Sequence, residues 1–267
     1  MSRLIVITSG KGGVGKTTTA VNLGAAINHL GEDVLVIDGN LTTPNVGIFL
    51  GATEVPVNLN HVLLGKAEPE EAVYEHESGI KIMPSSLSIR ELRKVDTNKI
   101  GNFRRDFKKL SDYIIVDCAA GLGDEAAGAI SIADEIIIVT NPELPAVTDA
   151  LKTIKLAEEM GKSILGIIVT RVRMNNIEMS PESVKAMLEA PILGCIPEDG
   201  SIQEALNMKN AVVYTHPKSK SARAYKEIAA KIINKDYDYK KEKKIKLKTE
   251  HKKKKQKGFI ERLIFWR

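Results

Sequence analysis

The sequence predicts an α/β fold in three layers, with a mostly parallel, twisted sheet covered by helices on both faces. Short runs of β-branched residues alternate with longer amphipathic stretches throughout residues 3–233, which is the pattern of repeated β-α-β units. The chain has 267 residues, of which 43% are hydrophobic, and this is enough to bury the core of one large domain.

Short apolar runs predict seven strands, at residues 4–8, 33–38, 80–83, 113–117, 135–140, 164–170 and 192–196. Amphipathic stretches predict helices at residues 16–30, 95–110, 145–160, 181–188, 201–208 and 219–233. The third helix has the clearest period, because Val147, Ala150, Leu151, Ile154 and Ala157 share one face at helical spacing.

A glycine-rich segment lies between the first predicted strand and the first predicted helix. It reads Gly10-Lys11-Gly12-Gly13-Val14-Gly15-Lys16-Thr17-Thr18 and matches the frame G-x-x-x-x-G-K-[ST]. Such glycines let backbone N–H groups surround the phosphates of a nucleotide. We expect Lys16 to reach the β- and γ-phosphates and Thr17 to bind Mg²⁺. The segment therefore predicts a phosphate-binding loop and, with it, a P-loop NTPase fold.

The loop contains another lysine, Lys11, which narrows the class of protein. The run K-G-G-V-G-K-T-T resembles the deviant Walker A motif of the MinD/ParA family of ATPases. The resemblance implies a homodimer in the ATP state, in which Lys11 contacts the nucleotide of the partner subunit. The alternative is that Lys11 is a solvated loop lysine.

The end of the second strand carries the next candidate groups. Asp38 lies where an open α/β sheet places catalytic and metal-linked residues. Members of the family usually have D-x-D here, and the resemblance gives the second aspartate a role in positioning the attacking water. This chain has Asn40 instead, and an amide neither carries a charge nor accepts a proton as a carboxylate does. We therefore expect slow hydrolysis, or a larger share of the catalytic role for Asp38.

The run 113–117 is apolar and ends in an acid, which is the Walker B pattern. We expect Asp117 to hold Mg²⁺ through a water molecule. The residues that follow resemble the family's D-x-P-A-G-L switch, with Ala119 in place of proline. The resemblance implies that the backbone N–H of Gly121 is available to the γ-phosphate.

Later strands are expected to supply the contacts to the nucleotide base. Thr170 and Arg171 stand where relatives often carry N-R, and Thr170 offers only a hydroxyl to an adenine. Pro197, Glu198 and Asp199 follow Ile196 in a segment that resembles the I-P-E-D loop lining the adenine pocket of MinD proteins. No N-K-x-D guanine signature is present in the sequence, so we expect ATP rather than GTP.

Cysteine usage and hydropathy limit the other classes. Cys118 and Cys195 lie far apart with no CxxC spacing, so neither a zinc site nor an iron–sulfur site is expected, and a reduced, intracellular setting fits best. The sequence has no charged n-region followed by an apolar stretch and no apolar run of 18 residues, so we expect neither secretion nor membrane spanning.

Charge divides the chain into a predicted ATPase domain at residues 1–235, a lysine-rich linker at 236–257 and a short helix at 258–267. The formal net charge is +5, but residues 240–257 hold eleven lysines against two glutamates, and residues 1–239 alone have a charge of −5. In the last ten residues Phe259, Ile260, Leu263, Ile264 and Trp266 share one helical face.

Basic residues before a short aromatic helix predict an interfacial anchor, and we expect residues 252–267 to bind anionic membrane lipid. The stretch K-G-F-I-E-R-L also resembles the membrane-targeting end of MinD proteins. The alternatives are a helix docked on its own domain and a nucleic-acid tail; the terminal aromatic residues favour the membrane, so nucleic acid is not an expected partner.

Together these patterns and the resemblance to the family imply a MinD-type ATPase that binds ATP, dimerises and docks reversibly on the cytoplasmic face of the cell membrane. It would help to place a cell-division or other polar structure, with a regulatory or cargo protein that the sequence does not identify. The alternatives are a flagellar-number regulator of the same family and a ParA-type DNA-partitioning ATPase. An iron–sulfur carrier is disfavoured by the missing CxxC.

Overall fold

A computed structural model of the protein describes residues 2–173, 175 and 177–237. Residues 1–233 form one compact unit, and a second unit begins at Asn234. The predicted anchor at 252–267 and nearly all of the predicted linker therefore lie outside the described residues. Within the part that is described, no helix is both long enough and apolar enough to cross a membrane.

One sheet of eight strands forms the centre of the first unit. The strands are β1 (Arg3–Ser9), β2 (Val34–Gly39), β3 (Tyr74–Glu75), β4 (Lys81–Met83), β5 (Tyr113–Ala120), β6 (Glu135–Thr140), β7 (Ser163–Val172) and β8 (Ile192–Pro197). Their order across the sheet is β3-β4-β2-β5-β1-β6-β7-β8. Every neighbouring pair is parallel except β3 and β4.

Helices connect these strands. The α-helices of the described residues are α1 (Lys16–His29), α2 (Val46–Phe49), α3 (Leu59–Leu63), α4 (Ile89–Leu92), α5 (Arg104–Leu110), α6 (Asp124–Ile132), α7 (Leu144–Glu159), α8 (Pro181–Leu188), α9 (Ser201–Asn207), α10 (Val212–Thr215) and α11 (Lys220–Ile232). Turns of 3₁₀ helix occur at Pro69–Ala72 and Thr97–Phe103.

The central strands are buried on both faces, and successive residues of β1 show this directly. Leu4 and Val6 pack into one core with α3, α5, α6, α7 and α8. Ile5 and Ile7 pack into a second core with α1, α2, α9, α10 and α11. The three-layer α/β fold is therefore confirmed, and the buried strands account for the apolar runs of the sequence.

All seven predicted strands are present, and β3 is a further, two-residue strand at the edge of the sheet. The single helix predicted at 95–110 is wrong, because a 3₁₀ helix covers Thr97–Phe103 and α5 begins only at Arg104. Gly101 lies in the middle of that stretch and weakens an α-helix there. The sequence did not single out α6, whose small, mostly apolar residues show little periodicity.

Candidate nucleotide-binding site

The glycine-rich loop connects β1 to α1, in the order that the sequence predicts. Gly13 and Gly15 have φ values of 79° and 95°, which residues with a side chain rarely adopt. No side chain caps the start of α1, and its first turn holds no acidic residue. The first N–H groups of α1 and the positive end of its dipole are thus available to an anion such as a phosphate.

The two lysines of the loop lie in different surroundings. Lys16 is the first residue of α1, and only 8% of its surface is exposed. Lys11 is exposed, and its carbonyl oxygen accepts a hydrogen bond of 2.8 Å from the Ser9 hydroxyl. Lys16 is therefore placed within the site, whereas Lys11 points to the outer surface of the loop, as either interpretation of it requires.

The start of the loop packs tightly against α7. A Cβ atom built on Gly10 would lie 2.1 Å from the carbonyl oxygen of Asp149, whereas one built on Gly12 would meet no atom within 4 Å. Gly10 is thus required by the close approach of two backbones, and Gly12 is not required by any protein contact of this kind.

Two buried carboxylates lie side by side next to the loop. Asp38 and Asp117 are register partners on the neighbouring strands β2 and β5, and both are fully buried. The Thr17 hydroxyl donates a hydrogen bond to Oδ2 of Asp117. The other oxygen, Oδ1, is buried and has no hydrogen-bond partner among the described residues.

Burial disfavours the negative charge of both carboxylates. Burial raises the pKa of Asp117 to about 6, although the Thr17 hydroxyl and the charge of Lys16 oppose the rise. Burial, followed by the charge of Asp117, raises the pKa of Asp38 well above its usual range. A divalent cation would relieve this cost, and an oxygen donor set with one free buried oxygen suits Mg²⁺. Thr17 and Asp117 therefore fit the predicted metal site; Asp38, also predicted there, lies beside them, but both of its oxygens accept backbone N–H groups.

Asp38 also holds the loop that joins β2 to α2. Its Oδ2 atom accepts hydrogen bonds of 2.9 Å from the backbone N–H groups of both Asn45 and Val46. Asn40 lies within this loop, but its side chain is occupied: the amide donates to the Thr43 carbonyl at 2.7 Å and accepts from the Thr43 hydroxyl at 3.1 Å. The Asn40 side chain thus stabilises its own loop, and its predicted action on water requires these bonds to open.

The backbone N–H of Gly121, predicted to contact the γ-phosphate, also has a partner within the protein. Gly121 follows β5 with a φ of 89°, and its N–H donates a hydrogen bond of 2.9 Å to the Ser9 carbonyl. This bond ties the segment after β5 to the end of β1, immediately before the phosphate loop. The N–H predicted to meet a γ-phosphate is therefore used within the protein.

A cavity of about 390 Å³ opens beside the phosphate loop and brings the predicted base-binding residues together. It is lined by Val14, Gly15, Thr18, Phe49, Thr170, Arg171, Ile196, Pro197, Glu198, Asp199, Ile202, Gln203, Leu206 and Tyr225. This volume and the mixture of apolar and polar groups are typical of a pocket for a small ligand.

Several side chains predicted to contact the nucleotide base are already bonded to other parts of the protein. The Thr170 hydroxyl donates to the Val14 carbonyl at 2.6 Å, so Thr170 holds the phosphate loop to β7. Glu198 pairs with Arg173. Thr170 and Glu198 both line the cavity, but their side chains already have bonding partners of their own.

Asp199 is occupied in the same way. One carboxylate oxygen accepts the Ser201 N–H at the start of α9, at 3.0 Å. The other accepts the N–H and the hydroxyl of Ser221, in the first turn of α11, at 3.1 and 2.9 Å. Asp199 therefore joins the starts of two helices.

Sequence reasoning missed some residues that shape the site. Asn141 lies 2.8 Å from the Thr170 hydroxyl, and Tyr225 of α11 lies against the cavity and 3.3 Å from the Thr19 hydroxyl. Neither belongs to a local motif, and each is brought to the site by a strand or helix distant in sequence. No signal in the sequence alone would have identified them.

A glycine-rich loop that ends on an uncapped helix, beside a buried acid bonded to the loop's threonine, defines a P-loop nucleotide-binding protein. A family model described as ParA, the NUBPL iron-transfer P-loop NTPase, matches residues 1–233. The chain belongs to the ParA/MinD family of P-loop NTPases. Among the described residues, no group of three or more His, Cys, Asp and Glu side chains is arranged to hold a metal ion.

The relatives are similar over most of their length. An uncharacterized ATP-binding protein of Methanocaldococcus jannaschii is 37% identical over 238 residues, which cover 89% of this chain and 90% of that protein. The structure of the septum site-determining protein MinD of Pyrococcus horikoshii, complexed with Mg-ADP, matches with a TM-score of 0.83 and 36% identity. That match covers 87% of this chain and 96% of the other.

A third match is to a protein in a complex. The MinC:MinD cell division protein complex of Aquifex aeolicus contains a chain that matches with a TM-score of 0.80 and 31% identity, covering 89% of this chain and 98% of that one. The predicted MinD/ParA family and the predicted fold are both confirmed.

Proposed function

We propose that this protein is a MinD-type ATPase, which binds ATP with Mg²⁺, hydrolyses it and helps to position cell-division or other polar machinery. Two neighbouring features support the proposal. Helix α1 begins at Lys16 without a side-chain cap, and one buried oxygen of the Asp117 carboxylate has no hydrogen-bond partner among the described residues. The first supplies N–H groups for phosphates, and the second supplies an oxygen for Mg²⁺. The Mg-ADP bound to the Pyrococcus relative supports the same pair of ligands.

Within this function, Lys16 would hold the phosphates, Thr17 and Asp117 would hold Mg²⁺, and Asp38 would position the loop after β2. Bound Mg²⁺ would neutralise charge on the phosphates. We propose slow hydrolysis, because Asn40 lacks a carboxylate and is bonded to Thr43. Release of phosphate from MgATP tests this, and we expect fewer than about one turnover per second, the lower end of the usual range for enzymes. No release at all would contradict the proposed ATPase.

Replacing the two lysines of the loop should affect different properties: nucleotide affinity for Lys16 and dimerisation for Lys11. Lys16→Ala removes the charge that faces the bound phosphates, so the Kd for ATP should rise at least ~10-fold, which corresponds to ~1.4 kcal/mol. Lys11→Ala should leave that Kd nearly unchanged and abolish ATP-dependent dimers, since Lys11 is exposed and would reach the partner's nucleotide. Titration calorimetry measures the first effect and light scattering the second. Normal ATP-induced dimers of the Lys11→Ala variant would exclude the dimer role of Lys11.

We further propose that residues 252–267 bind anionic lipid, so that the protein acts on the cytoplasmic face of the membrane. The support is the sequence of that segment, in which a lysine run precedes an amphipathic aromatic helix. Deletion of residues 258–267 should abolish ATP-dependent binding to vesicles that contain phosphatidylglycerol, without a change in nucleotide affinity. Leu263→Glu, which puts a charge on the apolar face, should nearly match the deletion.

The control for Leu263→Glu is Glu261→Gln, which changes a residue off the apolar face and should bind vesicles normally. Neutralising Lys252–Lys255 should weaken binding mainly to the anionic vesicles, because each lysine near such a surface contributes ~1 kcal/mol. If vesicle binding survives Leu263→Glu but is lost when the lysines are neutralised, the segment binds lipid by charge alone, and the amphipathic anchor is contradicted. Co-sedimentation with DNA instead of vesicles would favour the ParA-type alternative.

A MinD relative in complex with MinC supports a second protein as a partner. We propose that this chain, too, acts through a regulatory or cargo protein and through a homodimer in the ATP state. Exposed apolar side chains are surfaces that such contacts would cover, and among the described residues these include Leu87, Ile89, Leu122 and Leu144.

A further inference from the structure

The loop that joins β2 to α2 is fastened at both ends to one residue. At its near end the Asn40 N–H donates to Oδ1 of Asp38 at 3.3 Å, and at its far end the N–H groups of Asn45 and Val46 donate to Oδ2. Within the loop the Asn40 side chain holds Thr43, whereas the neighbouring Thr42 bonds to a residue outside the loop. Thr42 itself is exposed.

That contact comes from Glu125, in the first turn of α6. The Thr42 N–H donates to Oε1 of Glu125 at 3.0 Å, and the Thr42 hydroxyl donates to Oε2 at 2.6 Å. Both oxygens of one carboxylate thus bind both donors of one residue. Such a bidentate, charge-assisted pair fixes orientation as well as distance. The start of α6 also favours a negative side chain.

The helix that carries Glu125 starts immediately after the segment 121–123, which follows β5 and its Asp117. Gly121 in that segment bonds to the Ser9 carbonyl, next to the phosphate loop. A change at the phosphates that moves this segment consequently moves the start of α6. Through its two bonds to Thr42, Glu125 would transfer such a movement to the loop that contains Asn40.

We propose that Glu125 is a positioning residue for nucleotide hydrolysis, which makes the loop after β2 follow the segment after β5. The proposal rests on the ATPase function proposed above and extends it to a residue that no phosphate-loop or Walker motif contains. Glu125 touches neither the loop's lysines nor the two buried aspartates in any hydrogen bond of the described residues. Its effect is exerted through Thr42.

Variants of the full-length chain test the proposal by two measurements. The first is steady-state hydrolysis of MgATP, which gives kcat and KM. The second is hydrogen exchange of the segments 40–46 and 119–125 with and without MgADP. Glu125→Gln keeps the shape but loses the charge and one acceptor, and Thr42→Val loses the hydroxyl. Asp124→Asn removes an equal charge from the same turn of α6 and is the matched control for Glu125→Gln. Thr42→Ser keeps the hydroxyl and is the matched control for Thr42→Val.

We expect Glu125→Gln to lower kcat about five- to tenfold with KM nearly unchanged, as loss of a charge-assisted hydrogen bond in the transition state predicts. MgADP should still change exchange in 119–125 but no longer in 40–46. Thr42→Val should lower kcat in the same direction, and the double variant should be no slower than Glu125→Gln, because the two residues form one contact. Asp124→Asn and Thr42→Ser should behave as wild type.

Three results would overturn the proposal: a wild-type kcat and wild-type exchange in Glu125→Gln, an equal loss of kcat in Asp124→Asn, or strictly additive effects of the two substitutions. Failure of the wild-type protein to hydrolyse ATP would instead refute the ATPase function. In that case the exchange measurement would still decide whether Glu125 couples the two segments.

Discussion

Gly10→Ala will destabilise the nucleotide-free protein by ~2–3 kcal/mol and will also weaken nucleotide binding, whereas Gly12→Ala will leave the stability within ~0.5 kcal/mol. The new methyl group at residue 10 would lie 2.1 Å from the carbonyl oxygen and 2.7 Å from the Cβ of Asp149. These atoms belong to the backbone region of α7 and cannot rotate away. The phosphate loop must then separate from the helix, which disturbs the site.

The same change at Gly12 adds a methyl group in a place where no protein atom lies within 4 Å. Neither Gly10 nor Gly12 has a positive φ, so the pair isolates the steric effect of the methyl group from backbone strain. Urea denaturation measures the free energy of unfolding, and titration with ATP measures the Kd of Gly10→Ala. A Gly10→Ala variant with the stability of Gly12→Ala would mean that α7 does not press on the phosphate loop.

Asp117→Asn will stabilise the metal-free protein at neutral pH while it removes the response to Mg²⁺. The pKa of Asp117 is raised by burial to about 6, so the folded state holds this proton more tightly than the unfolded state does. The contribution of Asp117 to stability should therefore fall as the pH rises from about 4 to about 6 and stay level above that. Asparagine carries no charge at any of these values, and we expect a gain of ~2–3 kcal/mol above pH 6 that vanishes below pH 4.

Urea denaturation at pH 4, 5, 6 and 7 in the presence of EDTA measures this difference. Addition of MgATP should stabilise the wild-type protein by mass action and stabilise Asp117→Asn much less. Asp124→Asn, at an exposed position, should follow the wild-type curve throughout. An Asp117→Asn variant that is less stable than wild type in EDTA at pH 7 would contradict the assigned cost of the buried charge.

Local patterns were sufficient to predict the framework of this protein. The apolar runs that predict strands are the ones buried on both faces of the sheet, and the phosphate loop is recognisable because its chemistry lies in consecutive residues. The stretch 95–110 was harder to predict, because Gly101 and the packing of this segment on α6 favour a 3₁₀ helix where the composition favours an α-helix.

The roles of single side chains in the site were harder to predict than their positions. Thr170 and Asp199 line the cavity, and their polar atoms are bonded to Val14 and Ser221, which are distant in sequence. Asn40 is bonded to Thr43 by a loop conformation that a motif does not encode. Partners of this kind are set by the tertiary fold, so a sequence pattern can place a residue at a site without revealing what it contacts there.

The bonds between Asp199 and Ser221 attach one end of α11 near the nucleotide site, while the other end is bonded elsewhere in the unit. One end of this helix is attached to the wall of the cavity beside the phosphate loop, and at the other end the Ile232 carbonyl accepts a hydrogen bond from Arg3, at the start of β1. A helix of 13 residues is about 20 Å long, so α11 spans the unit from the carboxyl ends of the strands to their amino ends. A rigid rod transmits a displacement along its whole length. A base that pushes the 197–199 segment outward would therefore also strain the guanidinium contact at the opposite edge of the sheet.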